Sequence, residues 1–249
     1  MTYEFKPFHR RNLPHIHWAG STFFVTFRLA GSISQTVLRQ WKADRMLVER
    51  EIRWLDTRAE RNDDVEKLTR AFHRKWFARY EDILHKAGHG PIWLKDREIA
   101  AIVADSLRQL DGNKYALHCF CIMCNHVHVL FTPFVTTDSI TTTKQIDGRR
   151  TFESGDATVS AIMQSIKGYT AREANRLLGR RGQFWQAESY DRRVRDEAEF
   201  RRILIYILNN PVKAGLVRDW RLWSWSYVAP DARDRYFADA PQAGKPALR

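Results

Sequence analysis

The chain has 249 residues and a formal net charge of +12, with 41 Lys and Arg against 29 Asp and Glu. That length suits one large domain or a smaller one with additions, and 44% hydrophobic residues are enough for a real core. The basic balance favours a polyanionic partner, nucleic acid first, over a merely basic enzyme. No apolar run of about 18 residues is present, and no secretory signal opens the chain, so neither a membrane protein nor a disulfide-stapled one is expected.

The predicted elements follow in chain order. Residues 1–20 read as a polar arm. Ser21-Thr-Phe-Phe-Val-Thr-Phe-Arg-Leu-Ala30 is β-branched and aromatic, a first strand ended by Gly31. Residues 34–89 carry apolar side chains at helical intervals, broken near Arg61-Asn-Asp-Asp64, which predicts a charged helical hairpin. A helix follows from Asp96 to about Asp111. Tyr115 to Cys124 reads as a strand, Asn125 as a turn, and His126 to Thr132 as the partner strand. Residues 136–156 are rich in Thr, Ser, Gly and Asp and read as a mobile surface loop. Val159 to Leu178 is helical. Phe184 to Tyr190 is a short strand or an ordered loop. Asp196 caps a helix that reaches Asn209 or Asn210, where Pro211 stops it, with Glu199 placed as a capping-box acid.

Two of these elements carry chemistry. In Cys121-Ile-Met-Cys-Asn-His-Val-His-Val-Leu130, His126 and His128 are two apart on a strand and so project from one face. A pair of imidazoles can share a divalent metal and leave coordination sites for an oxygen-rich substrate. The competing reading is two histidines on a solvent face. A zinc site using Cys119, Cys121 and Cys124 is a further rival, but structural zinc draws ligands from two separated knuckles. Here all candidates lie in one segment, and Cys119 and Cys121 read as small core residues.

The second element is the helix that starts at Asp196. Phe200, Ile203, Leu204, Ile207 and Leu208 define its buried face. Tyr206 lies about 130° from the centre of that face. One turn on, Asn210 is its neighbour on the helix surface. A phenol beside a metal-polarised phosphate is a nucleophile in need of nearby cations, since its free pKa is about 10.

Met123-Cys-Asn-His-Val-His-Val-Leu130 resembles the Met-Pro-Asn-His-x-His-x-Leu signature of the HUH single-tyrosine transposases (insertion-sequence-200-like). Tyr206-Ile-Leu-Asn-Asn-Pro-Val-Lys-Ala-Gly-Leu216 resembles the matching run of the REP-associated tyrosine transposases. Pro91-Ile-Trp-Leu94, Ser165-Ile-Lys-Gly168, Gly182-Gln-Phe-Trp-Gln186, Tyr190-Asp191 and Trp223-Ser-Trp-Ser226 fit the same branch in order, over residues 10–228.

The resemblance implies one transposase domain of the α+β class. Its core would be a ferredoxin-like (RRM-like) antiparallel sheet backed by helices, with a helical insertion at 34–89, an extra C-terminal helix and a tail at 229–249. It implies Mg²⁺ or Mn²⁺ held by His126, His128 and the amide of Asn210. Tyr206 would attack single-stranded or hairpin DNA and form a 5′-phosphotyrosine link. The protein would be a monomer or homodimer in a prokaryotic cytoplasm, at the nucleoid. Cys124 departs from the signature's proline. Lys167, Arg172, Arg180, Arg181, Arg192, Arg193 and Arg195 are candidate phosphate contacts, and Trp185 a candidate base-stacking or packing residue. Tyr169 and Tyr190 rank below Tyr206 as nucleophiles. The alternative function is a hairpin-DNA binder that does not cut.

Overall fold

The computed structural model describes residues 20–56, 62–134, 140–146, 149–154 and 159–238. The expected N-terminal arm, apart from Gly20, and the end of the tail lie outside them. The described elements are β1 (Phe23–Arg28), α1 (Gln35–Asp56), α2 (Asn62–Lys86), α3 (Arg97–Gln109), β2 (Tyr115–Ile122), β3 (His126–Pro133), β4 (Ile140–Ile146), β5 (Arg149–Ser154), α4 (Val159–Leu177), β6 (Tyr190–Arg193), α5 (Glu197–Leu208), α6 (Asn210–Lys213), β7 (Ser226–Val228) and α7 (Pro230–Phe237). Contacts divide the chain into two compact units: Ala30–Ile92, and the remainder on either side of it.

The larger unit is built on a five-stranded antiparallel sheet in the order β6-β1-β3-β2-β7. Without β7 this is a β-α-β-β-α-β succession, with α3 and α4 as the two crossing helices, in the split arrangement of the ferredoxin-like fold. The α+β class and the helix-backed antiparallel sheet are as expected.

Period-2 alternation explains why the sheet is covered on both sides. Phe23, Val25 and Phe27 of β1 join Val127, Val129 and Phe131 of β3 in one apolar cluster with Ile99, Val103 and Leu107 of α3 and Ile162 and Ile166 of α4. Each such side chain contributes roughly 1.5–3 kcal/mol by leaving water. The alternate residues of the same strands, Phe24, Thr26, His126, His128 and Leu130, are buried too. They face α5, which packs on β2 and β3. A bulge between Leu117 and Cys119 resets the alternation of β2, leaving Phe120 and Ile122 in the first cluster.

The ends of the elements are capped as their sequences dictate. Asp96 accepts from the backbone N–H groups of Glu98 and Ile99 at the start of α3. Asp196 does the same for Glu199 at the start of α5, at 2.7 Å. Pro211 does not stop the polypeptide from continuing helically. It sits at the second position of α6, where a missing N–H is not needed for a helical bond.

The other unit, Ala30–Ile92, contains the expected hairpin of α1 and α2. Its core is aromatic, with Trp41 5.5 Å from Trp76 and Trp76 stacked on Tyr80 at 5.3 Å between ring centroids. The turn that closes the unit requires glycine at position 90: φ is +76°, and a Cβ there would meet the Gly31 carbonyl oxygen.

The stretch expected to be a mobile loop, 136–156, contains the hairpin of β4 and β5. The β-branched run Ile140-Thr-Thr-Thr143 favours extended backbone. The short strands β6 and β7 at the sheet edges were also not anticipated, since three or four residues carry too little periodicity to read.

Candidate active site

The β2–β3 hairpin aims the histidines. Its turn is closed by Met123 N–H donating to the His126 carbonyl at 2.8 Å. The turn is tied on both sides, by Leu94 N–H to the Cys124 carbonyl at 3.2 Å and Leu29 N–H to the Asn125 carbonyl at 2.8 Å. Cys124 therefore occupies its place in a turn held by its backbone.

His126 and His128 are fully buried, and their ring centroids are 4.8 Å apart. Each ring is fixed through Nδ1. His126 Nδ1 shares a hydrogen bond with Asn125 Oδ1 at 2.6 Å, and His128 Nδ1 shares one with Thr26 Oγ1 at 2.8 Å. With both Nδ1 atoms so engaged, Nε2 is the atom each ring has for a metal ion. Two imidazoles, each oriented through its other ring nitrogen, form a donor set that fits a divalent cation.

Tyr206 packs edge-on against His128. Its ring centroid is 5.6 Å from that of His128 and 5.9 Å from that of Phe24. Tyr206 is half-buried, on the flank of the helix face formed by the buried Ile203, Leu204, Ile207 and Leu208. Lys213 places its ammonium nitrogen 4.6 Å from the Tyr206 ring centroid. Asn210 is fully buried and bonds the Tyr206 backbone carbonyl through Nδ2 at 2.9 Å. Thus His126, His128 and Tyr206 meet on one face of the sheet, and Asn210 is joined to them through Tyr206.

The two lower-ranked tyrosines diverge. Tyr190 is buried in β6 with its ring 6.0 Å from Phe24, while Tyr169 is 43% exposed on α4. The cysteines are all thiols, with Cys119 and Cys121 in the interior of β2. Among the described residues no cysteine joins a group of metal-ligand side chains.

The candidate DNA contacts separate into distinct roles. Trp185 is not available to stack on a base. It is buried, its N–H donates to Thr170 Oγ1 at 2.8 Å, and its ring packs edge-on against Phe27 at 4.8 Å. Lys167 is turned onto its own chain, donating to the carbonyls of Gln186 and Ala187 at 2.9 and 3.0 Å. Its pKa is lowered to about 8, by burial first, with Glu188 opposing and Arg28 adding to the shift. Arg180 lies over the Trp93 ring at 4.1 Å and bonds Asn175 Oδ1. Arg192 and Arg195 both pair with the carboxylate of Glu199. Arg172 is exposed and lies 3.8 Å from Glu173. Arg181 and Arg193 are exposed to solvent.

One residue of the site was not anticipated. Arg28, at the end of β1, is buried and stands opposite His126 in the β1–β3 register. A charge at the end of an apolar strand was the signal available in the sequence.

No family model and no curated protein matches this chain. Among solved structures it is similar to a REP-associated tyrosine transposase bound to a REP hairpin, at 15% identity and a TM-score of 0.44, over 95% of this chain and 92% of that one. Among the described residues no helix is long and apolar enough to cross a membrane.

Proposed function

We propose that this protein is a metal-dependent endonuclease and strand transferase acting on single-stranded or hairpin DNA, with Tyr206 as nucleophile. The observation that carries the reading is the Tyr206 ring packed against His128, which shares a buried sheet face with His126. The resemblance of the His126–His128 and Tyr206–Gly215 runs to the HUH single-tyrosine transposases supports it from the sequence. The net charge of +12 supports a nucleic-acid partner.

In this reading His126, His128 and the Asn210 amide would hold Mg²⁺ or Mn²⁺, which would supply positive charge to polarise the phosphoryl oxygens and offset charge in the transition state. Tyr206 loses its phenolic proton to solvent, and its oxygen attacks the phosphorus of the scissile phosphodiester. The bond from phosphorus to the upstream 3′-oxygen breaks, and that oxygen takes up a proton to become a 3′-hydroxyl. The downstream strand stays on Tyr206 as a 5′-phosphotyrosine. Reversal of the same step on a second 3′-hydroxyl joins strands. Lys213, over the ring, favours the phenolate by charge.

The test is a 3′-labelled hairpin oligonucleotide incubated with Mn²⁺ and resolved under denaturing conditions. Wild type yields a covalent adduct, and Tyr206→Phe yields none. An adduct that persists in Tyr206→Phe removes Tyr206 as nucleophile. Stable hairpin binding without any adduct, over a range of metals, would leave a binding protein that does not cut.

A further inference from the structure

Ser165, Tyr169, Arg172 and Arg176 recur at three- and four-residue intervals along α4, so they line one stripe of the helix. All four are exposed. The opposite side of α4, with Val159, Ile162, Ile166 and Ala174, packs into the apolar cluster that holds Phe23, Val25 and Phe27 of β1. That cluster lies on the sheet face away from His126 and His128. The exposed stripe is therefore on the far side of α4 from the histidines.

Tyr169 is 43% exposed, and Arg172 places its guanidinium carbon 6.0 Å from the ring centroid. The ring gains little from burial in the fold, and the guanidinium braces it from one side. Gly168 precedes it in the middle of the helix, where glycine is less stable than alanine. Nothing within the fold asks for glycine there. A Cβ at position 168 would meet no atom within 4 Å, and φ is not positive. Gly168 is the helix-surface neighbour of Ser165 and Arg172, three residues back and four on. Beside the Tyr169 ring the helix backbone is thus bare, with room for another backbone to come close.

Arg172 and Arg176 both pair with Glu173, at 3.8 and 3.1 Å, and their side chains are 72% and 71% exposed. Ion pairs so open to solvent are weak, and a phosphate can take the place of the carboxylate at little cost.

We propose that this stripe of α4 is a platform for single-stranded DNA. The Tyr169 ring stacks on an unpaired base, Arg172 and Arg176 contact the flanking phosphates, and Gly168 gives the sugar–phosphate backbone its room. This rests on the DNA-binding part of the reading above and adds a contact remote from the reacting phosphate. Every base presents a flat π-face, which an exposed phenol ring matches without regard to sequence. The chain's net charge of +12 suits the phosphates on either side.

Two probes are titrated onto the full-length protein in EDTA at several KCl concentrations, so that the readout does not depend on cleavage. One is a 20-nucleotide oligothymidylate and the other an abasic strand of the same length. Tyr169→Ala is expected to weaken oligothymidylate binding by about 5- to 150-fold, the range for one lost base stack. Its salt slope and its affinity for the abasic strand are expected to stay as in wild type. Tyr169→Phe keeps the ring and is expected to keep the affinity. Arg172→Gln is expected to make the slope of log K against log salt shallower by about 0.7 on both strands. Gly168→Ala is expected to raise the urea midpoint while weakening oligothymidylate binding. All four substitutions fall at exposed positions, and melting transitions check that each protein is folded. Wild-type oligothymidylate affinity in Tyr169→Ala overturns the proposal. Equal weakening on both strands also overturns it, because the ring then serves something other than a base. A change in sedimentation alone would make the stripe a contact between copies of the chain, and the platform falls. Tyr169-dependent binding in a protein that never forms an adduct keeps the platform and sinks the nuclease reading. Adduct formation with wild-type oligothymidylate affinity in Tyr169→Ala sinks the platform alone.

Discussion

The side-chain amide of Asn210 donates to the backbone carbonyl of Tyr206 at 2.9 Å. A carbonyl only accepts, so Nδ2 faces the helix and Oδ1 is turned away from it. The bond satisfies one of the last four carbonyls of α5, which have no partner within the helix. The same contact links the proposed nucleophile's backbone to a proposed metal ligand. Asn210→Asp cannot make it, because an ionised carboxylate has no proton to donate. That variant is expected to lose about 1–2 kcal/mol of stability in urea unfolding and to form adduct more slowly. Asn210→Ala is expected to raise the Mn²⁺ midpoint for adduct formation. A midpoint and rate identical to wild type in Asn210→Ala would take Asn210 out of the site.

Thr26 orients His128 from the neighbouring strand. Both residues are fully buried, so removing the hydroxyl leaves the imidazole Nδ1 without this partner. Thr26→Val is nearly isosteric and keeps the strand propensity. It is expected to weaken Mn²⁺ affinity by roughly 10- to 100-fold, the usual effect of losing a group that orients a metal ligand. Thr26→Ser is expected to restore most of it. Calorimetric Mn²⁺ titration of the three proteins checks this, and equal affinity in Thr26→Val would show that His128 needs no help from β1.

The sequence made the paired elements of the site legible because both rest on simple periods. Spacing of two placed His126 and His128 on one face, and the 3.6 repeat placed Tyr206 at the border of an apolar stripe. What spacing could not show is which charges are already paired. Arg192 and Arg195 look like phosphate contacts until β6 and the start of α5 bring them onto Glu199. Trp185 looks like a stacking platform until its neighbours Phe27 and Thr170, distant in sequence, enclose it. Arg28 was passed over for the opposite reason: a charge at the end of an apolar strand is a local signal, but it does not tell that the residue is buried and paired with His126 in the sheet.

Lys213 sits about two helical turns beyond Tyr206, on α6, with its ammonium 4.6 Å from the ring centroid. The α5–α6 junction makes this possible, because Asn209 keeps near-helical backbone angles (φ −81°, ψ 0°) and Pro211 is accommodated. A cation over a phenol ring at an exposed site is worth about 0.5–1 kcal/mol. Lys213→Met is therefore expected to slow adduct formation by about two- to fivefold at pH 7, with the Mn²⁺ midpoint unchanged. Single-turnover rates across a Mn²⁺ series separate the two quantities. A shifted midpoint with an unchanged maximal rate would mean that Lys213 acts on the metal site rather than on Tyr206.

Glu199 already holds two of the arginines that are candidates for DNA contact. Its carboxylate is buried and accepts from the Arg195 backbone N–H at 2.9 Å and the Arg195 Nε at 3.0 Å, and it also pairs with Arg192. The Glu199 N–H in turn donates to Asp196, so the acid closes the first turn of the helix that carries Tyr206. Burial alone would raise the Glu199 pKa, but the bonds from Arg195 and the charges of Arg192 and Arg195 outweigh it and hold the pKa below the ordinary 4.5. A carboxyl whose folded pKa is depressed contributes its full stability above its unfolded pKa. That contribution is lost as pH falls through the folded value. Glu199→Gln is expected to cost about 1–3 kcal/mol at pH 7, and the gap from wild type should narrow below pH 4.5. The same substitution frees two guanidinium groups next to the sheet edge. Single-strand binding should then become tighter and its salt slope steeper, by about 0.7 for each arginine that engages a phosphate. Urea unfolding across pH and salt-dependent oligothymidylate binding measure the two effects on one protein. Lower stability with no steepening of the slope would show that Arg192 and Arg195 serve the helix start alone.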